Sequence, residues 1–117
     1  MRESAGPVAL TTETVSISSH WSHEPGELIV KLTGDLTTEN APAISGALGS
    51  AFATPAPLHR VILDLRGVRY ASSTGIGTIP RLYIDARSHS VSIVLANVAD
   101  HIRTIFDLLG FSSFFPF

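Results

Sequence analysis

The run Val61 to Leu65 (VILDL) restricts the fold of this chain more than any other segment. Val61, Leu63 and Leu65 alternate onto one side of an extended strand while Ile62 is apolar on the other, the profile of an interior strand. The run leads through Arg66, Gly67 and Val68 into Arg69–Gly77 (RYASSTGIG), so Ser72, Ser73 and Thr74 fall where a strand gives way to a helix. An interior strand joined to its neighbours by helical crossovers calls for parallel pairing and right-handed connections.

The rest of the chain supplies those neighbours. Residues 1–12 are small, polar and mixed, and are predicted to be a flexible leader that contributes little beyond edge pairing. Thr14 to His20 alternates weakly, His23 to Gly26 (HEPG) is a turn, and Leu28 to Leu32 (LIVKL) resumes as a strand, so the first two strands form a hairpin stopped by Gly34 and Asp35. Thr37 or Thr38 caps a helix with Pro42 early in it; Ala41, Ile44, Leu48 and Phe52 form its apolar stripe, and Pro55 and Pro57 mark its end. Gly46 and Gly49 weaken this helix locally, so packing must hold it.

The helix after the serines is predicted to bury Ile76, Ile79, Tyr83 and Ala86, with Leu82 at the edge of the stripe. Pro80 imposes a kink or a tight first turn. Val91 to Leu95 is a β-branched strand. A last helix starts at Asn97 or Asp100, turns Ile102, Ile105, Phe106 and Leu109 to one side, and stops at a left-handed Gly110. The tail from Phe111 to Phe117 (FSSFFPF) is read as a short edge strand limited by Pro116. The order is that of one α/β domain with a mixed four- or five-stranded sheet and about three helices, and no repeat.

At 117 residues there is room for one core, and 44% hydrophobic residues suffice to build it. Eight basic against ten acidic residues, with no block of like charge, argue against a nucleic-acid partner, which needs a concentrated positive footprint. With no cysteine there is neither disulfide nor thiolate chemistry. The apolar runs fall far short of the ~20 residues that cross a bilayer, so no membrane partner is expected and the cytoplasm is the default location.

The hydroxyl cluster is open to three readings. Ser72 or Ser73 caps the helix, with the glycines relieving crowding; or a hydroxyl accepts a phosphoryl group beside free helix amides; or a serine acts as a nucleophile. No base is evident for the last, and Gly75 and Gly77 lack the spacing of a phosphate loop. His20, His23, His59, His89 and His101 are too scattered for a metal site, and no cofactor is called for. Asp64, at the end of the central strand, either holds the adjoining loop, the favoured role, or binds a cation, and Asp35 belongs to a turn or helix approach.

Taken together, Leu32–Leu36 (LTGDL) with Asn40–Pro42 (NAP), Val61–Leu65 (VILDL), Ser73–Gly77 (STGIG) and Ile102–Gly110 (IRTIFDLLG) resemble the STAS family, specifically the bacterial anti-sigma factor antagonists. The resemblance spans roughly residues 13–117 and implies a STAS domain there. It implies a non-enzymatic switch that binds a serine/threonine-kinase-type anti-sigma factor and thereby releases a sigma factor. The kinase phosphorylates a serine at the start of the second long helix, which weakens binding, and a serine phosphatase reverses it.

Ser73 matches that serine, Thr74 the small hydroxyl residue after it, and Gly75 and Gly77 the family glycines; Ser72 and Thr74 are the alternative acceptors. Asp35, Ser72, Ser73, Thr74, Gly75, Ile76, Gly77 and Arg81 make up the implied partner surface, with Asp85 and Arg87 further along the helix. Ser72 stands where the family usually has an aspartate. The family also often carries a final helix, for which the end at Phe117 leaves no room, so a shortened C-terminus is expected. The competing expectation is an unphosphorylated STAS scaffold or small-ligand sensor.

Overall fold

Alternation of apolar residues builds a sheet with one buried face. A computed structural model describes residues 6–53 and 57–110. Five strands, β1 (Leu10–Thr11), β2 (Val15–Trp21), β3 (Glu27–Leu36), β4 (Arg60–Ala71) and β5 (Ser92–Ala96), lie side by side in chain order. The pairs β1–β2 and β2–β3 are antiparallel, while β3–β4 and β4–β5 are parallel. Helices α1 (Ala41–Phe52), α2 (Ser73–Ile76), α3 (Thr78–Ser88) and α4 (Asp100–Leu108) complete the order.

The rows Leu28–Val61–Ile93 and Val30–Leu63–Leu95 run across the three parallel strands and are buried. They join Ile44 and Leu48 of α1, Ile79 and Leu82 of α3, and Ile102 and Phe106 of α4 in a single apolar cluster. The opposite row, Ile29–Ile62–Val94, is only half-buried. Thus β4 is interior to the sheet, as expected, while the Ile62 face lies outside that cluster.

Several expectations need correction. Gly34 and Asp35 do not stop β3. Gly34 takes φ +115°, where a side chain would collide with the Thr14 carbonyl, and the Asp35 amide donates to that carbonyl at 2.9 Å. The strand shifts register there and continues to Leu36. Strand β4 likewise runs on to Ala71 rather than ending near Leu65.

The residue at the cap position of α1 is Asn40, which makes no side-chain cap bond, while the Thr37 hydroxyl accepts from the Asn40 amide three residues on at 3.4 Å; the core stripe takes Ala51 while Ala41 stays half-buried. The helix after the serines is two helices. The break falls at Gly77, so Pro80 lies in the first turn of α3, where its missing amide hydrogen costs no helix bond. The restart turns Leu82 into the core and leaves Tyr83 half-buried, so these two exchange places, while Ile76, Ile79 and Ala86 are buried as expected.

The second half of the leader is packed. Val8 is in the core, and Ser19 Oγ accepts from the Val8 amide at 2.9 Å and donates to its carbonyl at 2.7 Å. With Leu10–Thr11 paired to β2, the fifth strand lies on the N-terminal side. The left-handed Gly110 is present, at φ +76°. Pro55 and the edge strand expected over 111–117 lie outside the described residues.

Candidate functional site

Strand β4 delivers its last residue, Ala71, beside Leu36 at the end of β3, and the chain then turns sharply. The Ser72 amide donates to the Leu36 carbonyl at 3.0 Å. Ser72 itself is extended (φ −90°, ψ 161°), and its hydroxyl accepts from the Gly75 amide at 3.0 Å, which makes it the cap of α2. A side chain on Gly75 would strike the Leu36 carbonyl and the Thr37 amide, so only glycine lets α2 sit this close to β3.

These contacts sort the three hydroxyls. Ser72 is half-buried and committed to the cap. Ser73 and Thr74 are exposed, and neither hydroxyl makes a hydrogen bond among the described residues. Ile76 is fully buried and anchors the single turn from beneath.

Asp35 comes to the same end of the sheet, opposite Tyr70 in the register. Its carboxylate lies 3.8 Å from the Arg69 guanidinium, whose side chain is 78% exposed, so the pair is a weak surface contact. The loop from Asp35 to α1 is braced by Asn40, which is 5% exposed. Asn40 Nδ2 donates to the Asp35 carbonyl at 2.7 Å and to Thr14 Oγ1 at 3.2 Å, and Oδ1 accepts from the Thr37 amide at 2.9 Å. Reading the sequence by capping rules missed this bracing role. The signal was an amide between two predicted caps and a proline-bearing helix.

Thr74, Gly77 and Arg81 line one side of a groove of about 560 Å³ whose other side is the start of α1. The structure therefore brings Asp35, Ser72, Ser73, Thr74, Gly75, Ile76 and Gly77 to one end of the sheet, with Arg81 a turn into α3. Arg87 is not part of it. That residue donates to the Tyr83 hydroxyl at 3.3 Å and lines a separate concavity with His59, toward the far end of α3. Asp85 lies between the two, 3.8 Å from His89.

Asp64 is structural, its Oδ1 accepting from the Arg66 amide at 3.0 Å and from Asn97 Nδ2 at 3.1 Å. Among the described residues no helix is long and apolar enough to cross a membrane.

With this geometry in hand, the chain matches the STAS domain profile over residues 20–117. It is 32% identical over 91 residues to the Bordetella bronchiseptica protein named "Putative anti-sigma factor antagonist BtrV", covering 78% of this chain and 77% of that one. In three dimensions it is similar to the anti-sigma factor antagonist SpoIIAA in its unphosphorylated form, with a TM-score of 0.66, 15% identity, and 81% and 82% of the two chains covered. The Bacillus SpoIIAA in the phosphorylated form gives a TM-score of 0.60 at 16% identity, covering 81% and 85%. At these identities the structures speak for the fold, while the profile and the sequence relative speak for descent. The described turn carries the same STGIG segment on which the resemblance first rested. The chain belongs to the STAS domain family, as a relative of its anti-sigma factor antagonists.

Proposed function

We propose that this protein is a cytoplasmic anti-sigma factor antagonist that binds a serine/threonine-kinase-type anti-sigma factor and so frees a sigma factor, and that phosphorylation of Ser73 switches the binding off. It is a binding protein and not an enzyme. A serine phosphatase restores the binding form. One observation narrows the choice of residue: the Ser72 hydroxyl is held by the Gly75 amide, whereas Ser73 and Thr74 are exposed and unengaged, and of these two Ser73 is the one that matches the serine implied by the STAS resemblance.

The surface around Ser73 consists of the β3 end with Asp35, the turn Ser72–Gly77, and Arg81. A phosphate brings a charge of about −1.5 to −2 to it. Docking the modified surface would require stripping water from that charge or setting it against the partner's own carboxylates, so binding weakens without any refolding.

The test is phosphate transfer from a cognate anti-sigma kinase, mapped by mass spectrometry, with binding of the same kinase measured for wild type, S73A and S73E. Phosphate on Ser73, retained binding by S73A and a loss of at least about tenfold for S73E are expected. Phosphate on Ser72 or Thr74 alone, or full binding by S73E, would sink the proposal.

A further inference from the structure

The sheet has two edges, and the chain treats them differently. At the β1 edge the outermost strand is only two residues long, and the segment before it is strapped to β2. The Gly6 amide donates to the Ser19 carbonyl at 2.9 Å, and Ser19 Oγ holds both backbone groups of Val8. A short, strapped edge resists further pairing. The β5 edge has neither device.

Strand β5 (SIVLA) carries no charge, proline or glycine, and its parallel register with β4 is unbroken from Ser92 to Ala96. The Ser92 amide donates to the His59 carbonyl at 3.0 Å, which turns the backbone groups of Ser92, Val94 and Ala96 toward β4. By alternation the amides and carbonyls of Ile93 and Leu95 point the other way. Among the described residues no loop, cap or side chain bonds them. Helix α4 leaves this edge alone. It packs toward α2, and His101 Nε2 lies 3.1 Å from the Arg69 carbonyl, on the part of β4 that extends beyond β5.

We infer that β5 pairs antiparallel with β5 of a second copy of this chain about a twofold axis at Val94, joining two five-stranded sheets into one. Ile93 then faces the second copy's Leu95, and Leu95 its Ile93, each pair exchanging both N–H···O bonds. Val94, whose backbone is turned to β4, meets its equivalent as a non-hydrogen-bonded pair. The register is fixed at both ends. A slip one way puts Leu95 opposite Val91, whose amide is already given to the Ala86 carbonyl. A slip the other way puts Ile93 opposite Asn97, where the chain turns left-handed at φ 55°.

What lies beside the edge favours a second copy over a foreign strand. With Val94 on the axis, the half-buried row Ile29–Ile62–Val94 runs on into the same row of the second copy. Two β-branched side chains meet where paired strands come closest. On the same face Arg60 stands beside Ser92 and Asp64 beside Ala96. The axis sets Ser92 against Ala96, so each Arg60 lies across from the other copy's Asp64 and no like charges are opposed. The inference does not depend on Ser73 or its modification.

The experiment is sedimentation of the full chain from about 10 µM to about 1 mM, with V94K, V94E and I29K alongside, and amide hydrogen exchange at both ends of that range. A monomer–dimer equilibrium is expected within it, as suits a short interface. The Ile93 and Leu95 amides should exchange freely at the dilute end and be protected at the concentrated end. V94K should weaken the dimer at least about tenfold, since it sets two like charges on the axis. An equimolar mixture of V94K and V94E should recover it, and I29K, on the same face but away from the edge, should leave it unchanged. The inference is overturned by a chain that stays monomeric to about 1 mM, by a dimer that V94K leaves intact, or by a V94K and V94E mixture no tighter than V94K alone. Loss of the dimer in I29K also overturns it, in favour of stacking between open sheet faces. So does protection of Ile93 and Leu95 at every concentration, which gives the edge to another segment of the same chain, such as 111–117.

Discussion

The Ser72 hydroxyl accepts a hydrogen bond from the Gly75 amide at 3.0 Å, and this one bond separates a structural serine from the exposed one beside it. Removing it should cost stability, whereas removing the neighbouring hydroxyl should not. S72A is expected to lose about 1 kcal/mol, the usual worth of a cap. S73A should stay within about 0.5 kcal/mol of wild type, as surface changes do. Urea unfolding midpoints of the two variants give the comparison, and equal midpoints would refute the division of roles.

Gly75 is held by the approach of β3 to α2. In G75A the new methyl meets the Leu36 carbonyl and the Thr37 amide, both backbone groups that cannot swing aside. A loss of about 2–3 kcal/mol is expected. Thermal unfolding by circular dichroism measures it. G46A provides the contrast, because nothing lies within 4 Å of a side chain there and a helical alanine is favourable.

Asn40 braces the β3–α1 loop with both ends of its amide. N40A leaves the Thr37 amide and the Asp35 carbonyl without that partner in a half-buried setting. A destabilisation of about 2–3 kcal/mol is expected. Hydrogen exchange should show faster exchange of the Thr37 amide than of the β4 core amides, and an unchanged Thr37 rate would argue against the bracing role.

The Asp35–Arg69 pair should matter little to folding. At 3.8 Å, with the Arg69 side chain mostly in solvent, it is worth less than about 0.5 kcal/mol. R69A should therefore unfold at nearly the wild-type denaturant concentration, in low and in high salt alike. A clear salt-dependent loss of stability in wild type but not in R69A would contradict this.

Legibility from sequence followed the range of the interactions concerned. The row Val61, Leu63, Leu65 announced an interior strand because a period of two is local, and β4 does lie between β3 and β5. Gly110 announced the end of α4 for the same reason. The end of β3 was misjudged because Gly34 normally signals a stop. Here a residue twenty positions earlier, Thr14, supplies the carbonyl that both excludes a side chain at Gly34 and holds the Asp35 amide. The packing of Val8 escaped notice because its partner, Ser19, lies eleven residues away.

By itself the sequence determined the order of β2 to β5 with helices between and after them, the single apolar core, and the placing of three hydroxyls at one strand-to-helix junction, all from periodicity and local backbone preference. Which hydroxyl is committed to the cap was decided only in three dimensions. Leu36 must hold the Ser72 amide and crowd Gly75 before Ser72 can turn its oxygen onto the helix and leave Ser73 exposed. The same holds for the groove that gathers Thr38 and Arg81. They are far apart along the chain, and only the packing of α1 against α3 brings them to one space.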